Sequence, residues 1–353
     1  MNQSIRRICL TATATAAAAC GLLLAPASAQ TTATTDPVGA MTFDVPDQTD
    51  FRFSVPLRQA ASFEGVVDSL AGSSVDVGEN VGDLVSSPHY LLVSSGSAEG
   101  LWSSVTGVSG SSIQLDEEIP GLAAGDGIEV RQFWTFGTLF PEGIDPDFIS
   151  TNALSPNGFI LTNNINQTGI NNSPSNVYFY FSDGGTNDGW YENGSFANAD
   201  DTVLSPETFL TLRNQSGEVI RIVTSGDVLQ SPFAVRVVSS ASGPRDNKVP
   251  VSSPVDISLS SLNLVESGAF AESDNALSPQ DFLLVYDPNE TGINTSPSAV
   301  YFYYTDGGSN DGWYENGTFL PADNVIIRGG SAMVIRKGGG ADSVAEWTIP
   351  VGS

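Results

Sequence analysis

A long internal repeat constrains this chain more than any other feature of its sequence. Residues 152–200 and 275–323 align without a gap at a constant separation of 123 positions, and 33 of the 49 aligned residues are identical. The shared segments are NALSP, TGIN and SPS, followed by VYFY[FY][ST]DGG[TS]NDGWYENG at 177–194 and 300–317. A repeat of this length predicts one structural module that is used twice.

The repeated segments predict β-structure. Short apolar runs at residues 159–161, 177–181, 209–212 and 219–223 are bounded by Gly, Asn and Ser, which is typical of strands and turns. No window combines a sustained apolar period of 3.6 residues with capping residues, so helices should be short. We therefore predict an all-β fold in which a sandwich- or barrel-like module is duplicated.

A fainter match upstream predicts an insertion in the first copy. The tripeptides that begin at Asp36 and Val55 resemble those that begin at Ser231 and Val249, at separations of 195 and 194 residues. Because the separation falls to 123 further along, the first copy carries about 71 or 72 additional residues. The predicted organisation is a first β-module over residues 30–62 and 134–230, a small inserted β-domain over 63–133, and a second β-module over 231–353.

The insertion itself also predicts strands. Residues 65–77 and 104–115 each place alternating apolar residues on both sides of a Gly-Ser turn, which is the pattern of a β-hairpin. Residues 89–93 predict a buried strand, and residues 125–131 a turn followed by a strand. A compact barrel or sandwich of five or six strands fits this pattern.

The N-terminus predicts export. Two arginines precede an apolar stretch over residues 8–25, which ends in the Ala-Ser-Ala of residues 27–29, as in a secretory signal peptide. We expect residues 1–29 to be removed and the mature chain to begin at Gln30. Both cysteines lie in the removed segment, so the mature protein has no disulfide. No later segment reaches the roughly 18 apolar residues of a membrane helix, so we expect a periplasmic, cell-surface or extracellular protein without a membrane span.

The charge excludes one class of partner. The chain has 13 Lys and Arg against 40 Asp and Glu, a net charge of −27, which becomes −29 once the two N-terminal arginines are removed. Nucleic-acid binding needs clustered cations that neutralise phosphates. We therefore expect no nucleic-acid partner.

Several motifs carry a resemblance to a known family. They are DPVG at residues 36–39, VPL at 55–57, FWT at 133–135 and TLFP at 138–141. With the export signal, the strand-rich insertion and a terminal module of aromatic strand, Gly-rich loop and strand ending in arginine, the chain resembles a family of uncharacterised exported β-rich proteins. That family occurs as paralogues in Verrucomicrobia-type bacteria. The resemblance implies export and β-architecture, and it supplies no catalytic residue or cofactor.

The repeated loop is a candidate calcium site. Carboxylate and amide oxygens on a glycine-rich loop are ligands that Ca²⁺ prefers. The spacing differs from an EF-hand, since the third position is glycine, and the alternative is a wide hairpin turn in which glycines supply positive φ angles. The candidate ligands are Asp183, Asn187, Asp188 and Glu192 in the first copy and Asp306, Asn310, Asp311 and Glu315 in the second. No other cofactor is expected.

The aromatic residues of the same loop suggest contact with a glycan. Trp190 and Tyr191, with Trp313 and Tyr314 in the second copy, could stack on sugar rings, and two equivalent sites would give avidity. The alternative is that these rings belong to the core, because aromatic residues on both faces of a strand cannot all be exposed.

Nothing in the sequence identifies a catalytic centre. His89 is the only histidine, and a G-x-S-x-G motif is absent, so a Ser-His-Asp triad and a multi-histidine zinc site are both disfavoured. A glycoside hydrolase based on two carboxylates remains a remote alternative. The aligned Arg213 and Arg336, which end apolar strands, are expected to form ion pairs.

The leading interpretation is a non-enzymatic exported β-protein with a structural, envelope, matrix or adhesive role. The alternative is a divalent, calcium-assisted carbohydrate-binding protein. Glycans and other envelope or matrix components are the expected partners.

Overall fold

The structure is a computed structural model that describes residues 37–349. The predicted signal peptide over residues 1–29, with Cys9 and Cys20, and the predicted mature start at Gln30 lie outside the described residues. Residues 37–349 form many short strands that pair antiparallel, with one four-residue α-helix and two short 3₁₀ helices. The prediction of an all-β fold with short helices is confirmed.

Two strands precede a segment that forms its own sheet. The first two strands are β1 (Val38–Val45) and β2 (Thr49–Phe53). The segment contains β3 (Ala61–Val66), β4 (Ser69–Ala71), β5 (Ser74–Asp76), a 3₁₀ helix (Gly82–Ser86), β6 (His89–Val93), β7 (Trp102–Ser109), β8 (Ser112–Leu115) and β9 (Gly127–Gln132). These strands pair in the order β3-β9-β6-β7-β8-β5-β4. Val67, between the two edge strands, forms backbone hydrogen bonds with Gly125 and Asp126, while Asp68 bonds to Asp76, so the two edges of the sheet approach each other.

The hairpins and strands predicted for this segment are present. The hairpins are β4–β5 and β7–β8, and they turn at Gly72 and Gly110, each with a φ of 62° that favours glycine. The predicted strands at residues 89–93 and 125–131 correspond to β6 and β9. The sheet has seven strands, more than the predicted five or six, because residues 61–71 form two strands, β3 and β4.

The first module is completed after this segment. Its remaining elements are β10 (Trp134–Thr135), α1 (Phe136–Leu139), β11 (Gly158–Thr162), β12 (Asn176–Phe181), β13 (Gly189–Glu192), β14 (Val203–Leu204), β15 (Leu210–Asn214) and β16 (Ile220–Asp227). A five-stranded sheet has the order β13-β12-β11-β15-β2, and two ribbons, β1-β16 and β10-β14, accompany it. Strands on both sides of the inserted sheet therefore pair with one another.

The second module has the same strand connectivity. Its elements are β17 (Phe233–Ser239), β18 (Arg245–Pro250), β19 (Ile257–Ser258), a 3₁₀ helix (Leu259–Leu262), β20 (Phe282–Val285), β21 (Ala299–Tyr304), β22 (Gly312–Glu315), β23 (Ile326–Ile327), β24 (Ala332–Lys337) and β25 (Ser343–Ile349). The sheet order is β22-β21-β20-β24-β18, and the ribbons are β17-β25 and β19-β23. Each strand matches one of the first module in order and pairing.

The strand registers correct one detail of the upstream alignment. Asp50 lies opposite Arg213 in the first sheet, and Asp246 lies opposite Arg336 in the second. Asp50 and Asp246 are thus the matching residues of β2 and β18. Val249 lies inside β18, whereas Val55 follows the end of β2, so the similarity of the tripeptides at Val55 and Val249 does not reflect equivalent positions.

Each module contacts the other through its TGIN loop. The TGIN loop of the first module contacts the second module, where the N–H of Asp246 donates to the carbonyl of Gly169 at 2.9 Å. The N–H of Asn171 donates to Asp246 Oδ2 at 2.7 Å, and Arg336 Nη2 donates to Asn171 Oδ1 at 2.8 Å. Asn171 takes a left-handed φ of 55°, a conformation that asparagine tolerates better than most residues.

The TGIN loop of the second module makes the equivalent contact with the first module. The N–H of Asp50 donates to the carbonyl of Gly292 at 2.9 Å, and the N–H of Asn294 donates to Asp50 Oδ2 at 2.8 Å. Arg213 Nη2 donates to Asn294 Oδ1 at 2.9 Å. The two copies of TGIN therefore hold the two modules together.

Apolar side chains form a core inside each unit. The first module buries Phe51, Ile160 and Leu212, and the inserted sheet buries Leu91 and Ile113 on one of its faces. On its other face, the inserted sheet packs against the second module, where the rings of Trp102 and Phe233 stack with centroids 6.0 Å apart. This packing places the inserted sheet against the core of the second module.

Candidate functional site

The repeated loops connect β12 to β13 and β21 to β22. Asp188 Oδ1 accepts the backbone N–H groups of Asp183 at 3.0 Å and Gly184 at 3.2 Å. Asp311 Oδ1 accepts the N–H of Asp306 at 2.8 Å, and this bond lowers the pKa of Asp311. In both loops, an aspartate side chain closes the turn.

The other predicted calcium ligands of the loop also bond within it. Asn187 Nδ2 donates to Asp183 Oδ2, and Asn310 Nδ2 donates to Asp306 Oδ2, each at 2.9 Å. Across residues 37–349, no three acidic, histidine or cysteine side chains converge as metal ligands would. The structure brings Asp183, Asn187 and Asp188 together as a hydrogen-bonded turn, and calcium binding stays a prediction.

Glu192 and Glu315 do not belong to this cluster. They lie at the far ends of β13 and β22, about 13 Å along the strand from the loop at 3.3 Å per residue. Glu192 accepts hydrogen bonds from Ser195 Oγ at 2.7 Å and Asn176 Nδ2 at 2.9 Å, and these bonds lower its pKa. This corrects the prediction that all four oxygen side chains of each copy surround one cation.

The two tryptophans are core residues. Trp190 is fully buried, its ring stacks on Phe136 with centroids 4.8 Å apart, and its Nε1 donates to the carbonyl of Phe140 at 2.9 Å. Trp313 is 3% exposed and packs against Phe270. A buried indole cannot stack on a sugar, so the prediction that Trp190 and Trp313 form a ligand-binding surface is corrected.

The two tyrosines remain accessible. Tyr191 and Tyr314 are half-buried on β13 and β22, which are edge strands of the two five-stranded sheets. Tyr191 donates its hydroxyl to the carbonyl of Asn187 at 2.8 Å, and Tyr314 does the same to Asn310 at 2.9 Å. Each ring is thus held beside the acidic loop with part of its surface open.

The two aligned arginines form the expected ion pairs. Arg213 Nε lies 2.7 Å from Asp50 Oδ1, and Arg336 Nε lies 2.7 Å from Asp246 Oδ1. His89 is buried at the start of β6, with Nδ1 2.6 Å from the carbonyl oxygen of Ser87, and burial lowers its pKa. These three side chains have structural partners.

A cavity of about 300 Å³ lies between the two modules. The first module supplies loop residues that follow β11 and the segment from β14 to β15, and the second module supplies β17 and β18. Its polar lining includes Asn163, Asn164, Thr202, Glu207, Arg236 and Lys248. Amide, hydroxyl and charged groups thus share one cavity, at the lower end of the size of ligand sites.

Glu207 is the most perturbed carboxyl of this site. It is 5% exposed, and burial raises its pKa to about 7, although the positive charge of Arg236 opposes the change. The N–H of Arg236 donates to Glu207 Oε1 at 3.1 Å, and Arg236 Nε lies 3.8 Å from Oε2. Glu346 and Glu207 both line a second, smaller pocket, and the charge of Glu346 raises the pKa of Glu207 further.

The sequence does not predict this cavity, because its lining residues are scattered between the two copies of the repeat. The sequence does mark the cavity indirectly, at positions where the two copies of the repeat differ. Glu207 aligns with Gly330, and Asn163 aligns with Tyr286, at the same separation of 123 residues. Differences between otherwise similar copies therefore mark the site better than their identities do.

No protein-family model, curated protein or solved structure matches this chain. Over residues 37–349, none of the helices has both the length and the apolar character needed to cross a bilayer.

Proposed function

We propose that this protein is a non-enzymatic exported β-protein that acts through its surface in an envelope, matrix or adhesive role. The observation that carries the proposal is that two modules of the same connectivity are interlocked and present the same polar loop twice. The loop aspartates bond within their own turns, which suits a fixed surface. A partner with repeated epitopes would gain avidity from two such loops.

Retention on envelope material tests this proposal. The purified protein is passed over immobilised cell-wall and matrix polysaccharide fractions, together with the variants Y191A, Y314A and Y191A/Y314A. We expect the wild-type protein to be retained, each single variant to elute earlier, and the double variant to be lost. Leu154→Ala is the control, because Leu154 is 85% exposed outside the repeated loop. Equal retention of the wild type and the three tyrosine variants would contradict the proposal.

Carbohydrate binding is the second candidate, and the half-buried rings of Tyr191 and Tyr314 favour it. In this alternative, calcium would bridge the loop oxygens and the hydroxyls of the glycan. A glycan array probed with calcium and then with EDTA distinguishes it, because a calcium-assisted lectin loses its signal when the metal is removed.

Carboxylate-based glycoside hydrolysis is a remote alternative. Glu207 and Glu346 are the pair that supports it, because burial raises the pKa of both and they line the same pocket. Release of reducing ends from a polysaccharide panel, lost in E207Q and in E346Q, would replace the non-enzymatic proposal with this one.

A further inference from the structure

The two junctions between the modules can be compared position by position. At one junction, Arg52 of β2 reaches the loop of the second module, and its Nη1 donates to Thr295 Oγ1 at 3.1 Å. The ring of Tyr286 covers the guanidinium, with 3.8 Å between Cζ and the ring centre. The cation at this junction is therefore shielded by an aromatic side chain.

The matching cation at the other junction lacks that cover. Lys248 of β18 corresponds to Arg52 of β2, and its Nζ donates to Asn163 Oδ1 and to the carbonyl of Asn172. Asn163 stands where the other copy has Tyr286. Among residues 37–349, Lys248 has neither an ion pair nor a cation–π contact, and it lines the cavity.

A second residue difference between the two copies enlarges the same cavity. Arg328 lies over the ring of Phe43, with 4.8 Å from Cζ to the ring centre, and it donates to the carbonyl of Thr42. The residue that corresponds to Arg328 in the first copy is Ser205, which lines the cavity. Side chains that fill one junction are thus replaced by shorter ones at the other, where the cavity is about 300 Å³.

The shape and polarity of this space indicate the ligand. At the filled junction a six-membered ring, that of Tyr286, lies against the cation, and Asn163 at the matching position has no ring. The neighbouring Asn164 and Thr202 supply amide and hydroxyl groups that suit a ring with several hydroxyls. An ammonium has three donors, and Lys248 uses two of them on Asn163 and Asn172, so one is left for a ligand.

The charge of the space indicates an acidic ligand. Buried charges are normally paired, and Lys248 is half-buried without a carboxylate partner among residues 37–349 in a chain of net charge −27. The other charged groups of the lining already have partners, because Arg236 lies 3.8 Å from Glu207 and Asp246 is paired with Arg336. A carboxylate on the ligand would supply the missing partner.

We propose that the cavity between the modules binds a uronic acid, with its pyranose ring in the space that Tyr286 fills at the other junction and its carboxylate on Lys248. This site goes beyond the proposed function, which rests on the exposed loops. Its ligand is a small sugar acid and its residues are separate from Tyr191 and Tyr314.

Calorimetric titration of the protein tests this inference. The probes are D-glucuronate and D-galacturonate, with the neutral sugars D-glucose and D-galactose as matched comparisons. We expect at least one uronate to bind, and to bind about tenfold or more tightly than its neutral parent, since a hydrogen bond to a charged group gives a difference of this order. Absence of binding by both uronates, or equal affinity for acid and neutral forms, overturns the inference.

Variants locate the binding in the cavity. Asn163→Tyr and Ser205→Arg introduce the residues found at the matching positions of the filled junction, Tyr286 and Arg328. Each variant should abolish uronate binding. Lys248→Gln should lower affinity for the uronate about tenfold and leave the neutral sugar unchanged. Arg52→Gln at the other junction is the matched control and should bind uronate as the wild type does. If one cavity-filling variant fails to fold, the other and Lys248→Gln give the answer, and wild-type affinity in those variants overturns the inference.

The result is separable from the surface proposal. Y191A/Y314A should bind uronate normally, whereas Lys248→Gln should be retained on envelope material normally. Failure of one experiment therefore leaves the other interpretable.

Discussion

The carboxylate of Asp50 accepts two hydrogen bonds from Arg213, at 2.7 and 2.8 Å, and the same carboxylate receives the N–H of Asn294 from the other module at 2.8 Å. Asp50 is buried and the Arg213 side chain is 23% exposed. One ion pair therefore organises both a sheet and the contact between modules. Its counterpart, Asp246 with Arg336 and Asn171, repeats the arrangement.

Removing the arginine should destabilise the protein. Arg213→Met leaves a buried carboxylate without its ionic partner, so we expect a loss of about 3 kcal/mol in the free energy of unfolding. Denaturant unfolding measures the change. The control is Arg221→Met, because Arg221 and Asp44 form an exposed ion pair whose loss should leave the midpoint nearly unchanged. Equal effects in the two variants would contradict the structural role of the buried pair.

Removing a buried indole should also destabilise the fold. Trp190→Ala empties a packed site and deletes the hydrogen bond to Phe140, so we expect a loss of about 3–5 kcal/mol. Leu154→Ala, which changes an exposed side chain, should shift stability by less than about 0.5 kcal/mol. Thermal unfolding of both variants checks this. A stable Trp190→Ala protein that loses only ligand binding would restore the sugar-stacking interpretation.

Stability should fall as the carboxyl of Glu207 ionises. Its folded pKa of about 7 lies above the ordinary value of 4.5, so the folded state binds this proton more tightly than the unfolded state does. The contribution is therefore fully present below about pH 4.5 and is lost as pH rises through about 7, by about 3 kcal/mol in total. Unfolding measured across this range should show a fall for the wild type that Glu207→Gln lacks.

A substitution at Arg236 provides a control for the pH dependence of stability, because it should shift the pKa of Glu207 in a known direction. Because Arg236 lowers the pKa of Glu207, Arg236→Met should raise it, and the loss of stability should extend to higher pH. A pH profile that is the same in the wild type and in Glu207→Gln would show that Glu207 does not titrate in this range.

The repeated loops should hold their shape without calcium. Asp188 closes its turn through N–H groups of the loop, so Asp188→Ala should lower the thermal midpoint equally with calcium and with EDTA. For the wild type we expect the same midpoint in both buffers. A site filled at 100 times its dissociation constant would add about 2.7 kcal/mol, so a clear rise with calcium would support the calcium-assisted alternative.

The predicted signal peptide implies a defined mature terminus. Expression in a bacterium with its secretory pathway intact should give a protein that begins at Gln30, which intact-mass measurement detects. An Ala27→Leu/Ala29→Leu variant should accumulate as precursor, because the cleavage site requires small residues. Recovery of the full-length chain from the cytoplasm would contradict the predicted signal.

Local pattern was sufficient for much of the fold. The hairpins at Gly72 and Gly110 and the strand that begins at His89 follow from neighbouring residues and alternation along a strand. The upstream register did not, because the tripeptides at Val55 and Val249 are similar by sequence and inequivalent by pairing. Pairing between distant strands depends on partners that no local pattern names.

The sequence by itself determined a long internal repeat, short β-strands and an acidic loop that occurs twice, and it predicted an insertion within the first copy. Only the tertiary structure decided that Trp190 and Trp313 are buried, that Glu192 lies away from the loop aspartates, and that a cavity forms where Asn163 replaces an aromatic ring. The physical reason is that burial and cavities depend on what packs against a residue. For these side chains, the neighbours come from distant elements such as β17, β18 and α1.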